Sequence, residues 1–192
     1  MSPRLFASTS GLRLYARSRT VPRTLVLLTV TCVFAGWAAH RTGDAELDPG
    51  RATPVATLAA LAAAALIGAS LYAPSHELDR TAVRPWWPRR LAHLLALTAV
   101  AALMAALLPL APAAALRDLL GCVGLTATAA VLFGARLSWL PASCYVGAMC
   151  LASGGVHGWA VTVWAWPAAG AAFALGAALY AVQGARPEDS RD

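Results

Sequence analysis

The chain has 192 residues, of which 59% are apolar and only 12% are charged. A soluble globular domain carries about 25% charged residues, so this composition excludes an ordinary water-soluble fold and predicts a protein solvated by lipid. The formal net charge is +6 and every basic residue is Arg. Because these Arg residues gather at the ends of apolar runs, they indicate membrane topology, and no nucleic acid is expected as a partner.

Six apolar runs follow one another along the chain. A helix that crosses the hydrocarbon core needs about 20 apolar residues, with a range of about 17–25. The sequence therefore predicts an all-α fold, a polytopic transmembrane helix bundle, between a basic N-terminal segment (residues 1–23) and a polar tail (residues 184–192). Within the transmembrane domain, residues 24–183, the predicted spans are 25–39, 54–72, 91–110, 115–135, 137–153 and 161–182.

The first span is short and follows a long basic segment. Val21 and Pro22 can extend it past Arg23, whose side chain can snorkel. The small residues near Ala38 also fit a signal-peptide cleavage site, but five further runs follow, so we interpret it as an uncleaved span. Residues 5–23 are either a basic amphipathic helix at the interface or a disordered tail.

The fourth and fifth spans are separated only by residues 134–138, which predicts a tight helical hairpin. The fifth contains Pro141 and ends in Gly154-Gly155. It either crosses fully or forms a short, broken helix. Aromatic residues at the predicted span ends suggest interfacial belts; they are Trp37, Trp86, Trp87, Trp139, Trp159, Trp164, Tyr72 and Tyr180.

The Arg positions predict the orientation. With a cytoplasmic N-terminus, twelve of the fifteen Arg residues lie inside, and only Arg41, Arg51 and Arg117 lie outside. This bias follows the positive-inside rule and predicts a multi-pass protein of the plasma membrane. Six spans then return the C-terminus to the cytoplasm. The inner residues are Arg4, Arg13, Arg17, Arg19, Arg23, Arg80, Arg84, Arg89, Arg90, Arg136, Arg186 and Arg191.

No motif for catalysis or for a cofactor is found in the sequence. It lacks G-x-x-x-x-G-K-[ST], H-E-x-x-H and G-x-S-x-G, so we expect no enzyme activity, no cofactor, no catalytic residue and no metal site. The four Cys residues lie in apolar runs without a C-x-x-C pair and are interpreted as small apolar side chains. They are Cys32, Cys122, Cys144 and Cys150.

Two sets of charged residues are candidate functional sites. Arg117 and Asp118 form an outer-side polar pair at the start of the fourth span. Adjacent helical residues point about 100° apart and need not pair with each other. The pair is either a gate or substrate contact, or an interfacial helix start at which the dipole favours Asp118.

The second set lies between the second and third spans, in residues 74–84. Ser75 can cap a short helix with acidic residues near its start and Arg84 near its end. Such a helix is suited to docking a soluble partner, although an ordinary interfacial loop fits equally. The candidate coupling residues are Glu77, Asp79, Arg80 and Arg84.

This layout resembles the membrane subunit of ABC-2-type exporters. The matching pieces are residues 5–23 as an N-terminal amphipathic helix, residues 75–84 as a coupling helix, and residues 141–164 as a short external element before the sixth span. The resemblance implies a dimer that works with a separate ATP-binding subunit. The all-Arg, Ala-rich usage is typical of GC-rich coding sequences and suggests an actinobacterial source.

The expected function is therefore that of an integral membrane transport subunit, the permease of an ABC-2-type exporter. Its partners would be membrane lipid, a separate ATPase and a second membrane subunit. The first alternative is a membrane scaffold or immunity protein without enzymatic activity, which the scarcity of polar residues in the spans favours. A second is an enzyme for lipid-linked substrates, built from outer residues that could converge: His40, Asp44, Glu46, Asp48, Asp118 and His157.

Overall fold

The computed structural model describes residues 21–41, 49–71, 87–107, 112–152 and 164–185. All regular elements in these ranges are helical, which confirms the predicted all-α class for this part of the chain. They are α1 (Val21–Arg41), α2 (Pro49–Ser70), α3 (Trp87–Ala106), α4 (Pro112–Phe133), a 3-10 turn (Ala135–Leu137), α5 (Trp139–Ala152) and α6 (Trp166–Gln183). Residues 5–20 of the predicted amphipathic segment and residues 186–192 of the polar tail lie outside the described residues, whereas residues 21–23 belong to α1 and Gly184 ends α6.

Proline residues explain where several helices begin. Pro22 and Pro112 stand in the first turn of α1 and α4, and Pro167 stands in that of α6. Proline is tolerated there because the first N–H groups of a helix have no partner within the helix. For this reason α4 begins three residues before the predicted span. The end of α6 is set by Gly184, whose φ of 74° favours glycine.

Three of the described helices, α1, α3 and α4, are long and apolar enough to cross a membrane. Helix α5 has only 14 residues, which corresponds to a length of about 21 Å. The hydrocarbon core is about 30 Å thick. The described helix in the fifth predicted span is therefore shorter than the hydrocarbon core, and whether this span crosses fully stays a prediction.

The helices alternate in direction, and two groups of contacts define the ends of the bundle. At one end, here called the Asp118 end, Thr57 near the start of α2 meets Asp118 near the start of α4. The last turns of α1 reach the same end, because Ala35 and Ala39 pack in one cluster with Ala56 and Ala115. Helix α1 is thus antiparallel to α2 and α4.

At the other end, here called the Arg90 end, Tyr180 of α6 donates from its hydroxyl to the carbonyl of Leu71, 3.2 Å away. This bond supplies a donor to the C-terminus of α2, whose last carbonyls lack helical partners. The guanidinium of Arg90, near the start of α3, lies against Gly184 at the end of α6, where a cation is favoured by the helix dipole.

Helix α4 occupies the centre of the bundle and is closest to α6. A Cβ atom at Gly124 of α4 would overlap the backbone of Ala172, and one at Gly176 of α6 would overlap the backbone of Gly124. The two parallel helices therefore touch through their backbones, which only small residues permit. By contrast, α1 lies at the periphery and exposes large apolar side chains, including Val30, Val33 and Phe34.

Candidate functional site

The described residues contain a buried ion pair at the Asp118 end. The Nη2 and Nε atoms of Arg117 lie 3.2 and 3.3 Å from Oδ1 of Asp118. Thr57 of α2 donates from its hydroxyl to Oδ2 of Asp118 over 2.7 Å. We call these three residues the polar clamp, since they join α2 to α4 through side chains.

The side chain of Asp118 is 1% exposed and that of Arg117 is 13% exposed. Burying a carboxylate costs several kcal/mol unless it is paired and hydrogen-bonded. Here both oxygens accept hydrogen bonds, and the adjacent guanidinium balances the charge. Because Asp118 is almost fully buried, its charge is stabilised by these partners and not by solvent.

The geometry corrects two details of the sequence interpretation. Because α4 begins at Pro112, Arg117 and Asp118 lie in its second turn and not in its first. The effect of the helix dipole is weaker in the second turn. The two side chains do pair, although neighbouring positions diverge around the helix. The Arg side chain is long enough to turn back toward the Asp carboxylate.

An indole ring packs one turn further along α4. Trp164 lies on Gly121, where an added Cβ would overlap its ring, and its ring centroid is 4.7 Å from that of Tyr145 on α5. Trp164 is only 6% exposed, so its predicted place in an interfacial belt is wrong. Tyr180 is also buried, against the same prediction.

The indole N–H of Trp164 is buried without a hydrogen-bond partner of good geometry in the described part of the chain. The thiol of Cys122 interacts with this N–H and, electrostatically, with the carboxylate of Asp118. Sulfur is a weak acceptor, so the contact only partly compensates the N–H. Cys122 is fully buried; it follows Gly121 and lies one helical turn after Asp118 on α4.

A narrow groove runs beside the polar clamp, between α1, α2, α3 and α4. Its walls are formed almost entirely by small apolar side chains, including Ala56, Ala59, Ala105 and Ala115, with Leu119 and Cys32. Several hydroxyl groups elsewhere in the described bundle donate to carbonyls of their own helices, as Thr98 does to Leu94 and Thr126 does to Cys122. The described residues line no polar route through the bundle.

The other predicted site residues are not brought into contact with this cluster. Glu77, Asp79, Arg80 and Arg84 lie outside the described residues. Within the described ranges His40 is exposed at the end of α1, and no group of three or more His, Cys, Asp or Glu residues could hold a metal ion. Of the proposed outer cluster, Asp44, Glu46, Asp48 and His157 also lie outside the described residues.

Two members of the site, Thr57 and Trp164, were not predicted from the sequence. Thr57 is the one polar side chain in the apolar run from Val55 to Ile67, and this isolation was a usable signal. Nothing in the sequence around Trp164 distinguishes it from the aromatic residues at the other span ends. Its burial depends on the bare backbone of Gly121, which is 43 positions earlier in the chain.

Comparison with known proteins gave no match. No family model fits the chain, and neither the curated proteins nor the solved structures include one that is similar to it.

Proposed function

We propose that the chain is a multi-pass protein of the plasma membrane and the membrane subunit of a transporter, working as a dimer with a separate ATP-binding subunit, as permeases of ABC-2-type exporters do. The observation that carries this proposal is the polar clamp. Ionisable side chains inside a membrane are costly and commonly mark transport pathways or moving parts. A buried ion pair that joins two helices is suited to holding one state of such a pathway.

The alternating helix directions support the proposed topology of six spans. Arg23, Arg89, Arg90 and Arg136 lie on helix ends or turns at the Arg90 end, whereas Arg41 and Arg117 lie toward the Asp118 end. By the positive-inside rule the Arg90 end faces the cytoplasm. The N- and C-termini would then both be cytoplasmic, with the polar clamp near the outer leaflet.

Reporter fusions test this topology. We expect a fluorescent protein at the C-terminus to fluoresce and alkaline phosphatase at the same place to be inactive, since both would be cytoplasmic. Alkaline phosphatase inserted between α1 and α2, after Ala45, is expected to be active. The matched control is insertion after Ala82, between α2 and α3, which should be inactive. Active phosphatase at both insertion points would contradict the proposal.

Helices α2 and α3 meet at the Arg90 end, so the connection that contains Glu77, Asp79, Arg80 and Arg84 starts and finishes there. This is the end proposed to face the cytoplasm, where an ATP-binding subunit would dock. Closure of that subunit on ATP would move α2 and α3 and thereby alter the contact between α2 and α4. The transported molecule would be hydrophobic or amphipathic, because the groove beside the clamp is apolar.

The coupling role predicts a clear loss of partner activity. We expect the purified wild-type complex to retain ATPase activity. Glu77→Ala/Asp79→Ala should lower the recovered activity by at least about tenfold, because the loss of ion pairs worth about 1.4 kcal/mol reduces the affinity for the ATP-binding subunit tenfold. The control is Glu188→Ala/Asp189→Ala, which removes two acidic residues from the tail. If the first double variant keeps both the complex and export, the proposed coupling is wrong.

A membrane scaffold or immunity protein is the second candidate. The observation that favours it is the apolar groove together with hydroxyl groups that bond within their own helices, which leaves the described interior without a polar route. This candidate requires no ATPase, so wild-type protein that copurifies with no ATP hydrolysis would favour it. An enzyme for lipid-linked substrates is less supported, because both oxygens of Asp118 are already engaged by Arg117 and Thr57.

A further inference from the structure

The indole of Trp164 is carried by a residue outside any helix. Trp164 precedes α6, and the next residue, Ala165, is extended with φ −79° and ψ 146°. The first turn of α6 is closed beyond it, by the bond from the Ala169 N–H to the Ala165 carbonyl, 2.9 Å long. The indole can therefore leave its place by rotation about the χ1 and χ2 bonds of Trp164, without unwinding α6.

The ring occupies a place that suits reversible packing. It lies on the bare backbone of Gly121 and beside Tyr145, but among the described residues its N–H has no hydrogen-bond partner of good geometry. A buried N–H without a good partner costs about 1–3 kcal/mol. The burial of the apolar ring opposes this penalty, so the seated position is favoured by packing and not by hydrogen bonding.

The polar clamp and the indole act on neighbouring turns of α4. Arg117 and Asp118 lie four residues before Gly121 and Cys122 respectively, on the same helical faces. Thr57 is the donor to Oδ2 of Asp118. If that bond breaks, the buried carboxylate oxygen needs a water molecule as a new partner. The indole covers the next turn of α4, so its departure would let water approach the carboxylate.

We propose that Trp164 is a movable plug that closes the Asp118 end of the bundle, and that the polar clamp keeps it seated by holding α2 against α4. As the outer gate, the plug rests on the proposed transport function and describes how that function is regulated. Opening requires two local events, the separation of Thr57 from Asp118 and the departure of the indole from Gly121.

Cys122 provides a native reporter of the plug, because its side chain is fully buried and it follows Gly121, on which the indole packs. In the full chain, with Cys32, Cys144 and Cys150 replaced by Ala and held in lipid nanodiscs, a water-soluble maleimide should label Cys122 slowly. Trp164→Ala should label fastest. Trp164→Phe keeps a ring on Gly121 without the N–H, and should remain slow. Rapid labelling of the starting protein would overturn the proposal.

The link between clamp and plug is tested by Thr57→Val. We expect it to increase the Cys122 labelling rate about three- to twentyfold, the range that corresponds to interhelical hydrogen bonds of about 0.6–1.7 kcal/mol in membranes. The control is Thr98→Val, which removes an equally buried hydroxyl whose bond stays within α3. Equal rates for the two variants would overturn the link.

A second reporter separates local opening from general loosening. Ser138 is buried at the Arg90 end, and Ser138→Cys in a chain without other cysteines should label slowly with or without Thr57→Val. A parallel increase at both ends would show a loosened bundle and overturn the plug. None of these measurements uses an ATPase or a substrate, so the transport proposal can fail while the plug holds, and the reverse.

Discussion

Arg117→Ala is expected to destabilise the protein more than Asp118→Ala, and the double variant is expected to recover most of the loss. Removing one partner from a buried ion pair costs about 3–5 kcal/mol, because the remaining charge is uncompensated. Asp118 is almost fully buried and cannot reach solvent when Arg117 is removed. Arg117 is more exposed, and its long side chain can turn toward water or headgroups when Asp118 is removed.

The expected order follows from that asymmetry. We expect a loss of about 3 kcal/mol or more for Arg117→Ala, roughly 1–2 kcal/mol for Asp118→Ala, and less than about 1.5 kcal/mol for the double variant, which leaves no buried charge. Thermal unfolding of detergent-purified protein, followed by circular dichroism, measures these losses. Arg136→Ala removes an exposed Arg and serves as the control. Additive losses in the double variant would show that the two side chains are not coupled.

Gly176→Ala is expected to disrupt the bundle, whereas Gly170→Ala on the same helix is expected to be neutral or slightly stabilising. A Cβ at Gly176 would overlap the backbone of Gly124, while a Cβ at Gly170 meets no atom within 4 Å. Backbone atoms cannot change rotamer, so α4 and α6 must separate. Overpacking of a well-packed interior costs about 1–3 kcal/mol, and we expect the upper part of this range.

The paired design removes the effect of helix propensity. Both substitutions replace Gly by Ala within α6, and Ala favours the helix by about 0.5–1 kcal/mol. Any difference in the unfolding temperature therefore reports packing against α4. Gly124→Ala should resemble Gly176→Ala, since its Cβ would overlap the backbone of Ala172. A similar unfolding temperature for the Gly170 and Gly176 variants would contradict the observed backbone contact between α4 and α6.

The sequence was sufficient to locate the helices because each depends on a local property, a long apolar run bounded by proline, glycine or charge. It did not locate where the helices begin: α2, α3 and α4 begin five, four and three residues before their predicted spans, and α6 begins five residues after its own. For α4, the run of Ala113, Ala114 and Ala115 reads equally well as a connection or as a helix. That difference of three residues moved Arg117 and Asp118 from the first turn to the second.

Contacts between residues that are distant along the chain could not be predicted from the sequence. The sequence drew attention to Gly170 and Gly176 alike as small residues in the sixth span, but only the position of Gly124 decides which of them forms a helix contact. In the same way, Thr57 and Asp118 are 61 residues apart, and no local pattern joins them. The coupling residues between α2 and α3 remain a prediction.

The chain order of the polar clamp has a consequence for biogenesis. Thr57 lies upstream of Asp118, so a ribosome that synthesises the proposed membrane protein releases the donor before the acceptor. When α4 leaves the translocon, α2 is already inserted in the bilayer, and Arg117 enters the bilayer together with Asp118 because both belong to α4. An acidic residue at the centre of an inserting helix costs about 2.5–3.5 kcal/mol. Asp118 lies in the second turn of α4, and Arg117 and Thr57 can reduce its cost as soon as α4 is inserted, before α6 follows.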